Sequence, residues 1–168
     1  MAQKISVNIG DTDHGSLRIL IGNRSYSKGL LAVHGTNKEN VLTTAAVAFS
    51  IAGIMYSKAA TAEFDLSALT VVDETGATVA VIANQATAKD CAYLLVLDSS
   101  GTCKIIQGAA VAVGATCKCP GTPTGYAPFG AVKVSNATGS VFTFGTTALN
   151  TASLTVTYFD LSAAPDTL

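Results

Sequence analysis

The sequence predicts an all-β protein: an antiparallel β-sandwich or jelly-roll-like body preceded by an irregular N-terminal arm. Three observations predict it. Short runs rich in Val, Thr, Ile and aromatic residues recur from about residue 42. Clusters of Gly, Asn, Asp and Ser separate them about every 8–12 residues, the spacing of strands joined by turns. No long stretch carries the 3.6-residue apolar period of an amphipathic helix. With 168 residues the chain is expected to form one domain, residues 41–168, with residues 1–40 as an arm or extension. A body of this size buries roughly 70% of its unfolded surface and needs no metal or disulfide to hold a core.

Taken in order, Ile5-Val7-Ile9 alternates for one short strand and Gly10 to Gly15 breaks it. Arg18-Ile19-Leu20-Ile21 is a second short run, and Gly29 and Gly35 interrupt the rest of the arm. From Thr43 the pattern becomes regular, with Ala45, Val47, Phe49 and Ile51 on one face because strand side chains alternate. A two-residue turn at Ala52-Gly53 would set Ile51 opposite Ile54, Phe49 opposite Tyr56 and Val47 opposite Lys58. Phe64-Asp65-Leu66 reads as a linking strand. Leu69–Val72 and Thr78–Ile82 flank the turn Asp73-Glu74-Thr75-Gly76. Asn84–Lys89 reads as a loop.

Cys91–Leu97 is apolar on both faces, as a central covered strand should be. Asp98-Ser99-Ser100-Gly101 turns it into a hairpin partner, Thr102–Gln107, with a further strand at Ala109–Val113 and a long turn over Gly114–Gly125. The last quarter is expected to be a three-stranded meander: Tyr126–Val134, Val141–Leu149 and Ser153–Phe159. The tail from Ser162 is small and polar, as loose ends are.

Composition narrows function. Charged residues make up only 12% of the chain, about half of the usual roughly 25%, and the polar positions are filled by Thr, Ser and Gly. A surface so poor in charge suits contact with other subunits. The net charge of −1 leaves no basic stripe for nucleic acid. The charge is uneven: residues 1–40 hold Lys4, Arg18, Arg24, Lys28 and Lys38 against Asp11, Asp13 and Glu39, including both arginines of the chain. The opening Met1-Ala2-Gln3-Lys4 has no signal-peptide pattern, and the apolar window Val41–Tyr56 is too short and too polar to span a membrane. Cys91, Cys103, Cys117 and Cys119 are therefore read as reduced thiols of a cytosolically made protein.

Few residues are arranged for chemistry. Asp11-Thr12-Asp13-His14 is the one tight set of ligand types, but Ser16 and Gly22 stand where a calcium loop needs its glycine and glutamate. Cys117-Lys118-Cys119 lacks zinc-site spacing and a second pair. His14 and His34 lie far apart in sequence, with no third group to orient either as a base. Glu63/Asp65 and Asp73/Glu74 are the conceivable acid–base pairs of a glycosidase, in a chain with no Trp to bind sugar rings. Asn23-Arg24-Ser25 and Asn136-Ala137-Thr138 match the glycosylation triplet and read as turns. The expectation is no enzyme, no cofactor and no metal.

Four segments carry a resemblance: Ile51–Ala59, Tyr93–Gly101, Ala127–Val134 and Phe142–Leu149. Over roughly residues 42–161 the chain resembles the small all-β capsid decoration (cement) and head structural proteins of tailed bacteriophages. The resemblance implies a virion protein, made in the host cytoplasm, that binds the outside of an assembled capsid. It would bridge neighbouring capsomers and stabilise the head. The implied partners are the major capsid protein and further copies of the chain, a homotrimer before a dimer, with no nucleic acid and no membrane. Arg18, Arg24 and Lys28 are the expected capsid contacts. The rival expectation is a head or tail fibre or adhesin module binding host carbohydrate or receptor through exposed Tyr126, Phe129 or Phe142.

Overall fold

The computed structural model describes the backbone of residues 3–5 and the whole of residues 22–162. Within these the chain is all-β and contains no helix. The strands are β1 (Gln3–Ile5), β2 (Arg24–Ser25), β3 (Leu31–Val33), β4 (Val41–Thr43), β5 (Val47–Ile51), β6 (Ile54–Lys58) and β7 (Thr70–Val72). They continue with β8 (Thr78–Val79), β9 (Lys89–Leu97), β10 (Cys103–Gln107), β11 (Val111–Ala112), β12 (Ala127–Asn136) and β13 (Leu154–Asp160). A four-stranded sheet runs β1-β6-β5-β2. A seven-stranded sheet runs β13-β12-β9-β10-β7-β8, with β11 added beside the start of β9, and β3-β4 form a separate pair.

The β5–β6 hairpin has the register its sequence predicts: Ile51 pairs with Ile54, Phe49 with Tyr56 and Val47 with Lys58. Ala52 (φ 49°) and Gly53 (φ 76°) both take left-handed conformations, which matches the twist of a two-residue hairpin turn. The Phe49 and Tyr56 rings stack at 5.4 Å, so cross-strand aromatic packing holds the register. Likewise β9 is central and turns into β10 through Asp98, whose Oδ1 accepts the backbone N–H groups of Ser100 (2.9 Å) and Thr102 (3.0 Å). Asp73 closes the β7–β8 turn in the same way, accepting from Thr75 and Ala77. Both are the side-chain-to-backbone bonds that make Asp a turn residue.

Two apolar layers hang on β9. Its odd residues Cys91, Tyr93, Leu95 and Leu97 join Phe49, Val47 and Ile51 of the small sheet and Phe129, Val132 and Val134 of β12 in the main core. The sheets are therefore stacked face to face. Its even residues Leu94 and Val96 join Ile106, Val72 and Ala131 in a second cluster on the outer face. The segment around Lys118–Pro120 crosses that face: a side chain at Gly108 would meet the Ala92 carbonyl at 3.0 Å and Pro120 at 3.3 Å.

Three expectations are corrected. Val141–Leu149 is not a strand, so the last quarter is not a three-stranded meander. β13 pairs directly with β12, from Gly130 opposite Asp160 to Asn136 opposite Leu154. Between these two strands Phe142 and Phe144 drop into the core, where Phe144 stacks on Tyr93 at 4.0 Å and Phe142 meets it edge-on at 6.3 Å. The chain then turns at once, with Thr146 and Thr147 both donating to the Thr143 carbonyl and Gly145 at φ 80°. β12 already has β9 and β13 on its two edges, so no ladder is open to this stretch and its aromatics are buried as a plug. Second, the linking strand at Phe64–Leu66 is a single bridge from Phe64 to Val41 followed by a turn. Third, β7 runs parallel to β10, the one exception to antiparallel pairing among the described strands.

Of the lead-in, residues 6–21 lie outside the described residues, and with them Val7, Ile9, Arg18 and Asp11–His14. Residues 22–40 are tied to the body. Leu31 is buried in the main core, its N–H donates to Asp160 Oδ1 (3.1 Å), and the Ser25 hydroxyl donates to the Pro128 carbonyl (2.7 Å).

The turn at Gly145 gives a sharp stability test. An alanine Cβ there would sit 2.8 Å from Leu66 C and Ser67 N, both backbone, on top of the left-handed φ. Gly145→Ala is expected to destabilise the fold by roughly 2–4 kcal/mol. At Gly76 the φ is 90° but the nearest atoms are 3.5 Å away, so Gly76→Ala is expected to cost only about 1 kcal/mol. Urea unfolding of both variants should give that order.

Candidate functional site

Three runs of the chain hold no charged residue, 75–88, 105–117 and 134–159, and parts of all three meet at one end of the large sheet. The strand register brings them together. Asn136 at the end of β12 lies opposite both Lys89, which opens β9, and Leu154, which opens β13. Gln107 closes β10 at the same end, and β11 pairs with Lys89 and Asp90. The three connections over residues 80–88, 108–117 and 137–143 therefore form one crown of loops.

Hydrogen bonds join them into a single surface. Ala83 and Gln107 exchange two bonds, Ala83 N–H to Oε1 and Nε2–H to the Ala83 carbonyl, both 2.8 Å. The backbones of Gln85 and Phe142 exchange two more, at 2.8 and 2.9 Å. Thr143 Oγ1 donates to Asn84 Oδ1 (2.8 Å), and Val113 N–H to the Ala88 carbonyl. Asn136 Nδ2 donates to the carbonyls of Ser140 and Ala86.

Beneath the crown, Gln85 is fully buried. Its Nε2 donates to the carbonyls of Lys89 (2.7 Å) and Val134 (3.0 Å), and its Oε1 accepts the Tyr93 hydroxyl (3.1 Å). Burial raises the Tyr93 pKa well above its ordinary value, so the hydroxyl stays a donor. The charges at the base are partly neutralised in place: Lys133 Nζ lies 3.1 Å from the buried Asp90 Oδ2.

The crown presents an apolar surface. Val81 is 72% exposed, Val141 55% and Val113 43%, among exposed Ala, Thr and Gly. Val79, also exposed, lies just before it on β8. An uncharged, aliphatic surface held rigid from below suits contact with another macromolecule and offers no proton-transfer group.

Charged side chains gather at the opposite end, near the β9–β10 turn. An open cleft of about 430 Å³ is lined by Asn37, Glu39, Asn40, Glu63, Asp65, Ser67 and Gly145, the last from the turn that follows the Phe142–Phe144 plug. A neighbouring one of about 480 Å³ shares Glu63 and Asp65 and adds Lys58 and Ser100–Cys103. Hydrogen bonds from Asn37 (2.5 Å) and Asn40 (2.7 Å) hold the Glu63 pKa below its usual value, and the Ser67 hydroxyl does the same for Asp65. Neither is poised as a proton donor at neutral pH, which a glycosidase acid must be. His34 Nδ1 accepts the Asn37 and Thr36 N–H groups, a turn contact. The Glu74 carboxylate accepts the Gly121 N–H.

All four cysteines are free, and burial raises the thiol pKa of each, most for Cys103 in the core. Among the described residues no three His, Cys, Asp or Glu side chains are grouped to hold a metal ion.

Of the expected contacts, Arg18 lies outside the described residues. Arg24 is half-buried on the edge strand β2, with its guanidinium 5.3 Å from the Tyr26 ring, and Lys28 is exposed. The adjoining Ser25 bonds Pro128, which puts this segment at the far end of β12 from the crown. The aromatic platform of the rival reading is not formed: Phe129 and Phe142 are core residues, and the half-buried Tyr126 hydroxyl takes a bond from Lys104 Nζ (3.1 Å). Asn136 of the second glycosylation triplet is fully buried. Comparison with known protein families, curated proteins and solved structures returns no match.

The Gln85 network can be tested by a substitution of similar shape. Gln85→Met leaves the buried Tyr93 hydroxyl without its acceptor and takes a donor from the Lys89 and Val134 carbonyls, so it should destabilise by roughly 2–4 kcal/mol. Hydrogen exchange at the Phe142 amide should rise with it. Acid stability gives a second test. Glu63, Asp65, Asp73 and Asp90 all have lowered pKa values; at Asp90 burial opposes ionisation, but bonds from Ser135 and Lys133 outweigh it. A lowered folded pKa gives stability that is complete above the unfolded value and lost as pH falls through the folded one. The Tm should therefore stay level from neutral pH to about 5 and fall below about 4.

Proposed function

We propose that this chain is a virion structural protein, a decoration or cement protein that docks on the outside of an assembled phage capsid and stabilises the head. The observation that carries the reading is the crown: three uncharged connections tied into one rigid, Val- and Ala-rich end. A cement protein acts by adding contact area across the junction of neighbouring capsomers, and such area is neutral and apolar at its centre. A footprint spanning two subunits binds only where assembly has put them side by side. Many copies on a lattice then stabilise the shell without any one contact being strong. The resemblance to phage head proteins over residues 42–161 supports the same reading. Within it, the stacked sheets serve as the sandwich or jelly-roll-like body, with residues 22–40 part of that body.

The crown and the basic set Arg18, Arg24 and Lys28 are alternative footprints, and one experiment separates them. Val81→Asp with Val141→Asp places two charges on the crown at exposed positions, where folding is unaffected. Mature heads lacking the protein are incubated with each variant and the bound copies counted by mass spectrometry. The crown variant is expected to lose at least tenfold in affinity, since more than about 1.4 kcal/mol is at stake. Replacing Arg18, Arg24 and Lys28 by alanine should leave binding within about twofold. The reverse result moves the contact to the basic set; undiminished binding by both variants, or no binding of the wild-type chain, sinks the proposal.

A further inference from the structure

We propose that a second copy of this chain pairs with the outer edge of β13, giving a two-fold dimer joined by a continuous antiparallel sheet. Among the described residues β13 is the end strand of the large sheet, bonded to β12 on one side only. Edge strands of soluble proteins are normally blunted by lysine, proline, a bulge or short length. β13 has none of these: it runs seven residues, Leu-Thr-Val-Thr-Tyr-Phe-Asp, in unbroken register. Its one charge, Asp160, is turned to the Leu31 N–H. Its inward residues Leu154, Val156 and Tyr158 are only half-buried although they pack on the main core; among the described residues no strand is hydrogen-bonded beyond them. Phe159 is 45% exposed on the other face.

The backbone itself selects the occupant. The Leu161 N–H donates to the Phe129 carbonyl, which makes that pair a hydrogen-bonded one. In an antiparallel ladder such pairs alternate, so Phe159, Thr157 and Thr155 bond to β12. The N–H and C=O groups of Val156, Tyr158 and Asp160 face outward. A second β13 related by a two-fold axis at Thr157 sets Val156 opposite Tyr158 of the other copy and Leu154 opposite Asp160. Val156 and Tyr158 of both copies then present their backbones to the seam. The Leu154 N–H goes to the Thr151 carbonyl, so the ladder ends there. Shifting the axis to Val156 or Tyr158 leaves part of the strand without a partner. The same register places Thr155 beside Phe159 and Thr157 beside Thr157, β-branched and aromatic pairs that stabilise sheets, with no like charges opposed. The strand is thus complementary to itself, and a two-fold pairing of one edge with its own copy closes at two chains.

Sedimentation equilibrium of the full chain tests this. The wild-type protein at tens of micromolar should show twice the 17.0 kDa chain mass. Thr157→Lys sets two lysines side by side at the axis and should shift the protein to monomer. Its side chain is exposed, and circular dichroism should show an unchanged fold. Val156→Pro removes an outward N–H without touching the β12 ladder and should act alike. Mixing Thr157→Lys with Thr157→Asp should restore a dimer containing one of each. A wild-type monomer or trimer, or a dimer that survives both single substitutions, overturns the proposal. None of these outcomes bears on capsid binding through the crown.

Discussion

The double covering of β9 is the constraint on which the rest of this molecule depends. Asp90 to Leu97 are all buried, and the strand has no solvated side. Its odd residues need the small sheet, and its even residues Leu94 and Val96 need Val72, Ile106 and Ala131 with Tyr126 and Leu161 packed over them. Once β12 and β10 take its two edges, the remaining segments can only add outside them or plug the ends. That is why Phe142 and Phe144 act as plugs and β13 becomes an edge.

The second constraint is the pairing of backbone polar groups where strands stop. At the start of β9 backbone carbonyls sit next to the core, where an unpaired acceptor is costly. Gln85 answers this by bonding two of them and the Tyr93 hydroxyl at once. The solution uses an amide where a charged residue would need desolvation. An uncharged crown follows from that choice: with amides and hydroxyls joining the loops, their outward positions are free to be Val, Ala and Thr.

Much of the fold was legible because it is local. The Phe49–Tyr56 register and the Asp73 and Asp98 turns are set by neighbours within about ten residues, and the double-sided burial of Cys91–Leu97 shows in its unbroken apolar run. Val141–Leu149 shows where that stops. Phe142 and Phe144 alternate with Thr143 as strand residues do, and only the closeness of Gly145 to Leu66 tells a plug from a strand. The site was half legible. The three uncharged runs are visible in the sequence as gaps between Glu74 and Lys89, Lys104 and Lys118, and Lys133 and Asp160. Their meeting at one end is not, because it depends on which strands pair. Arg18, Arg24 and Lys28 are the conspicuous residues because they carry charge. In a chain this poor in charge, its absence over long runs is the stronger signal.

The two proposed surfaces constrain each other. β13 begins at the crown and ends beside Asp160, so an antiparallel seam places the crown of one copy next to the charged end of the other. The crowns of the dimer then point in opposite directions. A shell is a surface with one accessible side, so only one crown of each pair can meet it, and the other faces outward. Docking through the crown with pairing through β13 therefore gives two chains for every occupied site. Docking through the crown alone gives one. The distinction lies in stoichiometry, independent of affinity, and it follows from strand direction alone.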